Sequence, residues 1–302
     1  MKDTLDIIKL FFPDKSQSTL TAYSKDLDFF TEFLKKESTQ ETLDLLFGLP
    51  ESQANLVVLH YKTELLENGQ SISSINRKLS TLRSLVKAAK KAGVLDWKLD
   101  IPNEKVDYQP SIACLGKEQI NLLLTTAKNQ ENQKKAARDY AIIRLLFDLA
   151  LKRQIIADLE LKDFDAVGKT LVIRSNQKLP DKIKLLPIKT VNALNNWLKH
   201  RGDTEGSLFE NLDVAAKKSQ GLSSTSIYRI VKQIGESIGI QVTPEEIRKA
   251  SIKEVMTHAE RLGISDHELL IFSDHKHTVS LKKFKNQKRK IQESLSNLVA
   301  RN

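Results

Sequence analysis

The chain has 302 residues, 40% hydrophobic and 28% charged, with a net charge of +10 and a pI near 9.4. Those values describe a soluble globular protein, and the length predicts two domains. A membrane protein is excluded by the lack of any long apolar run, a secreted one by the charged start (MKDTLDIIKLFFPDK), and a disulfide framework by the single Cys114.

The first predicted helix covers residues 16–36, where capping candidates precede Leu20, Tyr23, Leu27, Phe30, Phe33 and Leu34 at helical spacing. Residues 44–47 predict a short helix or turn, ended by Gly48-Leu49-Pro50. Residues 52–67 predict a helix ending at Asn68-Gly69. Another follows over 73–91, with Ile75, Leu79, Leu82, Leu85, Val86 and Ala89 on its apolar face and Gly93 as its stop. These helices make residues 1–100 an N-terminal helical domain. Between Ser71 and Leu95 lie Arg77, Lys78, Arg83, Lys87, Lys90 and Lys91, with no acid until Asp96. One reading is a solvated basic face. The other is a nucleic-acid surface, which the lack of acids favours, because exposed helices ordinarily mix signs.

Residues 101–110 contain two prolines and no periodicity, and predict an extended linker. The second domain then covers 111–302. It opens with predicted helices at 116–127 and 134–151, the latter with Tyr140, Ile143, Leu146, Phe147 and Ala150 inward. Residues 169–173 and 182–188 read as strands around a turn. Helices follow at 190–200, with Leu194, Trp197 and Leu198 inward, and at 223–238. Thr243-Pro244 reads as the N-cap and first turn of a helix containing Ile247, Ala250, Ile252, Val255, Met256 and Ala259, closed by Leu262-Gly263. Short helices are predicted at 266–272 and 280–290. Residues 282–290 carry six basic residues in nine. Of six histidines only His267, His275 and His277 are neighbours, and no cysteine joins them, so no metal and no cofactor are expected.

The stretch Pro244-Glu245-Glu246-Ile247-Arg248, the turn Ser273-Asp274-His275 and Phe284, nine residues past His275, resemble the active-site region of the tyrosine recombinase (phage integrase) family. There the helix opens Pro-His-x-x-Arg, a Leu-Gly-His turn follows, and a tyrosine lies nine residues beyond that histidine. The resemblance extends upstream. LKRQIIADLELKDFD is similar to the family's Gly-Leu-Arg stretch, with Lys152 at the first catalytic arginine and Ile155 at the following acid. Arg153 lies one residue away, which on a helix is about 100° away. Lys178 is nearest to the family's hairpin lysine. STLTAY (18–23), INRKLSTLR (75–83) and Gly93 resemble the family's N-terminal core-binding domain.

The resemblance implies a mainly α fold: a four-helix, SAM-like core-binding domain and a mostly helical catalytic-type domain with a small antiparallel sheet. It implies that the domains close on a duplex, with Arg77, Lys78, Arg83 and Lys87 of the basic helix, Ser223, Ser224, Thr225, Arg229 and Lys232 of the 223–238 helix, and Lys178 and Arg248 contacting DNA. Tyr228 falls to packing or to a phosphate contact. Strand transfer in this family is phosphoryl transfer by a tyrosine oxygen, with guanidinium forks holding the developing charge. Here Phe284 replaces the tyrosine, Lys152 the first arginine and Glu245 the first histidine. Arg248 is kept; His275 is either a phosphate donor or an ordinary loop histidine. The five tyrosines are Tyr23, Tyr61, Tyr108, Tyr140 and Tyr228, none beyond position 228. Catalytic residues are therefore expected to be absent, leaving a degenerate pocket of Lys152, Lys178, Glu245, Arg248, His275 and Phe284. The expectation is a cytoplasmic, nucleoid-associated double-stranded DNA-binding protein without strand cleavage, alone, as a homo-oligomer or with a recombinase partner, and with no membrane partner. An active recombinase, one completed in trans, and an interaction module that has lost DNA binding remain as alternatives.

Overall fold

The computed structural model describes residues 2–105, 115–175, 180–212, 221–274 and 278. Two units divide the chain, Met1–Gln109 and Pro110–Asn302. The predicted helix at 280–290 with its basic run, and Lys178, His275 and Phe284, lie outside the described residues.

The first unit is helical: α1 (Lys2–Phe11), α2 (Gln17–Phe33), α3 (Thr39–Gly48), α4 (Glu51–Glu67) and α5 (Ile72–Lys91). Ser16, Ser38 and Ser71 cap α2, α3 and α5, each accepting a hydrogen bond from the backbone N–H three residues on. The Ser38 cap explains why α3 is longer than the turn predicted at 44–47. Helix α1 is an element that the sequence analysis leaves unassigned, although its apolar residues recur at helical spacing, and it buries Ile8. The core joins Leu27, Phe30, Leu46, Tyr61, Leu79 and Leu82. Tyr23 packs edge-on against Phe12, ring centres 5.2 Å apart, as a core-type aromatic. Residues 101–105 are part of this unit. Ile101 is buried, Lys62 reaches Glu104 at 2.6 Å, and Asn76 exchanges two hydrogen bonds with the Glu104 backbone.

The second unit is built on α6 (Lys117–Lys128), α7 (Gln133–Asp148) and α9 (Ile188–Arg201). Trp197 of α9 is fully buried, stacks on Phe209 and donates its indole N–H to the Leu208 carbonyl at 2.7 Å. A three-stranded antiparallel sheet, β1 (Phe164–Asp165), β2 (Thr170–Ile173) and β3 (Lys182–Leu185), has strand order β1-β2-β3, with Val172 opposite Ile183. The remaining helices are α8 (Arg153–Asp158), α10 (Ser224–Glu236), α11 (Pro244–Leu262) and α12 (Asp266–Ser273). A capping box between Thr243 and Glu246 starts α11, and left-handed Gly263 ends it. Helix α7 stops at Asp148 rather than at the predicted 151, because Ala150 takes a left-handed φ of 49° that no helix can continue through. Among the described residues no helix is long and apolar enough to cross a membrane.

Candidate nucleic-acid interface

In the first unit the basic residues of α5 divide into two sets. Arg77 binds the buried Asp26 carboxylate at 2.5 Å, and Thr81 donates to the same oxygen at 2.9 Å. Burial pushes Asp26 above the usual carboxylate range against these donors. Lys78 is buried; its ammonium lies 3.7 Å over the Phe29 ring and donates to Gln70 Oε1 at 2.8 Å. Burial pulls it below the ordinary lysine range. Arg83 donates to the Ile101 carbonyl and to Asn103, both at 2.5 Å. Of the three residues expected to face a duplex, Lys78 is buried and has almost no surface to offer, whereas Arg77 keeps about half of its side chain exposed and Arg83 is half-buried, each also bonded to an acceptor within the unit. Lys87 and Lys91 are exposed; Lys90, also exposed, donates to the Asp96 carbonyl.

Helix α10 buries Ile227, Val231 and Ile234 and turns Thr225, Arg229 and Lys232 outward, at i, i+4 and i+7. Ser223 is exposed, but its hydroxyl is the helix cap, accepting from the Ser226 N–H at 3.1 Å. Lys232 sits 3.4 Å from Glu236. Arg229 lines an open groove of about 450 Å³ with Gln130, Lys135, Arg138 and Gln233. A second groove of about 430 Å³ is lined by Lys152, Arg153, Tyr228, Pro244 and Glu245. In it Arg153, the first residue of α8, stacks over Tyr228 at 5.3 Å. The sequence assigns Arg153 no role; Tyr228, five residues into α10, is the partner that reveals one.

Arg248, on the first turns of α11, is 4% exposed. Its Nε donates to the Ala150 carbonyl at 2.8 Å, one Nη to the Ser273 carbonyl at 2.6 Å, and the other lies 3.3 Å from Glu245 Oε1. Every guanidinium nitrogen thus has a protein acceptor. Arg248 thereby ties the end of α7 to the end of α12, and the expected phosphate contact would have to share nitrogens already bonded to protein. Glu245 is exposed, so it adds negative charge to the groove beside Lys152.

Lys152 immediately precedes α8 without capping it, and its side chain points to the end of α12, Nζ 3.6 Å from Asp274 Oδ2. Lys182 donates to Asp274 Oδ1. Lys184 donates to the carbonyls of Ile271 and Phe272 at 2.7 and 3.0 Å, and burial lowers its ammonium below the usual range. Burial pushes the Asp274 carboxyl up, but Lys182, Lys152 and Lys184 pull it further down, so it lies below the ordinary range. The cavity these residues share is only about 10 Å³, near the room of one water. The sequence places Lys182 and Lys184 in a strand and Asp274 in a turn, but gives none of them a role at this site. A signal existed: Lys-Ile-Lys-Leu alternates, yet Ile183 and Leu185 are exposed, so the strand turns its lysines toward the site and its apolar residues outward. Behind the sheet, Arg174 grips Asp163 and Glu160, both at 2.7 Å, and anchors the hairpin.

The sequence matches the profile of the phage integrase family over residues 114–290 and of the phage integrase N-terminal SAM-like domain over residues 13–93. A tyrosine recombinase of Synechococcus elongatus is 31% identical over 258 residues, covering 82% of this chain and 79% of that protein. One of Synechocystis is 28% identical over 288 residues, covering 90% and 91%. Among solved structures, XerH site-specific recombinase bound to a palindromic difH substrate superposes with a TM-score of 0.68 at 16% identity, covering 92% of this chain and 79% of that one. The Tn1549 transposon integrase in complex with transposon right-end DNA gives 0.65 at 12% identity, covering 97% and 98%. At those identities the structural likeness speaks for the fold.

Proposed function

The chain belongs to the phage integrase family, and within it we propose a double-stranded DNA-binding protein that does not cut DNA. The observation that carries this reading is the missing nucleophile. No tyrosine lies between Tyr228 and the end of the family match at 290, and Phe284 stands at the spacing where the family's tyrosine is expected. A phenyl ring fills the volume of a tyrosine but has no oxygen to attack phosphorus. Lys152 offers charge without a fork, Glu245 brings a carboxylate toward the phosphate, and Arg248 is engaged by protein acceptors. Duplex DNA as the ligand is supported by the name the curated relatives carry, tyrosine recombinase, and by the solved neighbours crystallised on DNA. Exposed Lys87, Lys91, Arg153, Arg229 and Lys232 supply phosphate contacts, with Ser224 and Thr225 beside them on α10. Such a protein regulates transcription, organises DNA or tempers an active recombinase.

The test pairs a mobility-shift assay with a supercoiled-plasmid nicking assay. The expected outcome is a shift that weakens steeply with salt, over a plasmid that stays supercoiled. Nicked or relaxed plasmid contradicts the absence of cleavage, and failure to shift any duplex at low salt contradicts DNA binding.

A further inference from the structure

Asp274 is in an unfavourable place on three counts. It occupies the C-terminal end of α12, where the helix dipole disfavours an anion. Its φ of 52° is left-handed, a conformation that costs a side chain with a Cβ more than it costs glycine. Its side chain is 28% exposed, so part of its hydration is lost. What holds the carboxylate there is a pair of ammonium groups from separate elements, Lys152 at the start of α8 and Lys182 on β3, one on each oxygen. Both lysine side chains are about half exposed, at 50% and 56%, so the pair is open to a ligand arriving from solvent.

We propose that Asp274 is a built-in stand-in for a phosphate: its carboxylate masks an anion site formed by Lys152 and Lys182, and a phosphate group must displace it to bind. Two carboxylate oxygens each facing one ammonium reproduce what two non-bridging phosphate oxygens present. The cavity beside them leaves only about 10 Å³, so an anion that bridges both ammonium groups takes the place of the carboxylate rather than sitting next to it. A backbone phosphate of DNA is the natural competitor, and this identity of the anion rests on the DNA-binding reading above. The mask weakens contact at this point of the duplex and leaves the rest of the interface untouched.

Asp274→Asn removes the charge and keeps the shape, and asparagine tolerates left-handed backbone better than most residues. Fluorescence anisotropy with a labelled duplex then compares wild type and variant over a salt series. The expected result is about tenfold tighter binding by the variant, the size of one relieved charge repulsion, and a slope of log affinity on log salt steeper by about one. Adding Lys152→Gln and Lys182→Gln to the variant reverses the gain. If Asp274→Asn fails to fold by circular dichroism, Asp274→Gly, relaxed at this φ, takes its place. Equal affinity and slope in wild type and variant overturn the mask while DNA binding stands. If neither protein binds DNA, the DNA reading fails, and inorganic phosphate becomes the probe. A larger rise in Tm with phosphate for the variant than for wild type then supports the masked site, and equal rises overturn it.

Discussion

At the scale of single residues, the same side-chain type performs opposite tasks according to its burial. Arg248 bonds two buried carbonyls, so its replacement strands them. Arg248→Lys is expected to lose about 2–4 kcal/mol in urea unfolding, because an ammonium lacks the fork that reaches both. A loss below about 0.5 kcal/mol would mean that the guanidinium is free for a ligand. On α5 the contrast runs along one helix. Lys78→Ala and Arg83→Ala remove contacts inside the first unit and should lower Tm. Lys87→Ala and Lys91→Ala should leave stability within about 0.5 kcal/mol and reduce the salt slope of DNA binding by about 0.9 each. The reverse pattern would restore the inner residues as the DNA face.

At the scale of elements, both ends of α11 and two of the three strands were legible, and the shortest elements were not. Thr243-Pro244-Glu245-Glu246 and Leu262-Gly263 announce both ends of α11, because capping is local chemistry written in adjacent residues. Helix α8 has six residues and no cap side chain, and β1 has two residues, too short for any period to register. Strand β3 misleads through its inverted alternation. The convergence of Lys152, Lys182 and Asp274 is long-range geometry: the sequence places each on its own element, and only the fold brings the three together. Two predictions belong here. A Cβ on Gly235 would lie 2.5 Å from the Ile240 carbonyl oxygen and 2.3 Å from a Val242 methyl. Gly235→Ala should therefore cost about 1–3 kcal/mol, and loosen α10 from the turn behind it, read by thermal unfolding. The hairpin anchor predicts a pH dependence. Hydrogen bonds from Arg174 and then Lys162 hold Glu160 at about 2, against an ordinary 4.5. A depressed carboxyl contributes stability above its unfolded value and loses it as pH falls toward its folded value. Stability should thus decline between about pH 4.5 and pH 2, and Glu160→Gln should flatten that part of the Tm–pH curve. An unchanged curve would show the pair to be inconsequential.

At the scale of the whole molecule, the proposed reading keeps the family's scaffold and gives up its chemistry. The mainly helical fold with its small antiparallel sheet is that of the family, and its capped helices and buried apolar faces need none of the catalytic side chains. Groups that act as a unit in catalysis also fail as a unit. Phe284→Tyr alone should leave the chain inactive or nearly so, because Lys152 and Glu245 remain in place. The most direct test uses a suicide substrate, a duplex nicked near the cleavage position in a site first selected by binding, with denaturing gels to trap a protein–DNA adduct. The account predicts bound duplex and no covalent adduct with the unmodified chain. An adduct mapped to any residue from Gln241 onward would contradict it.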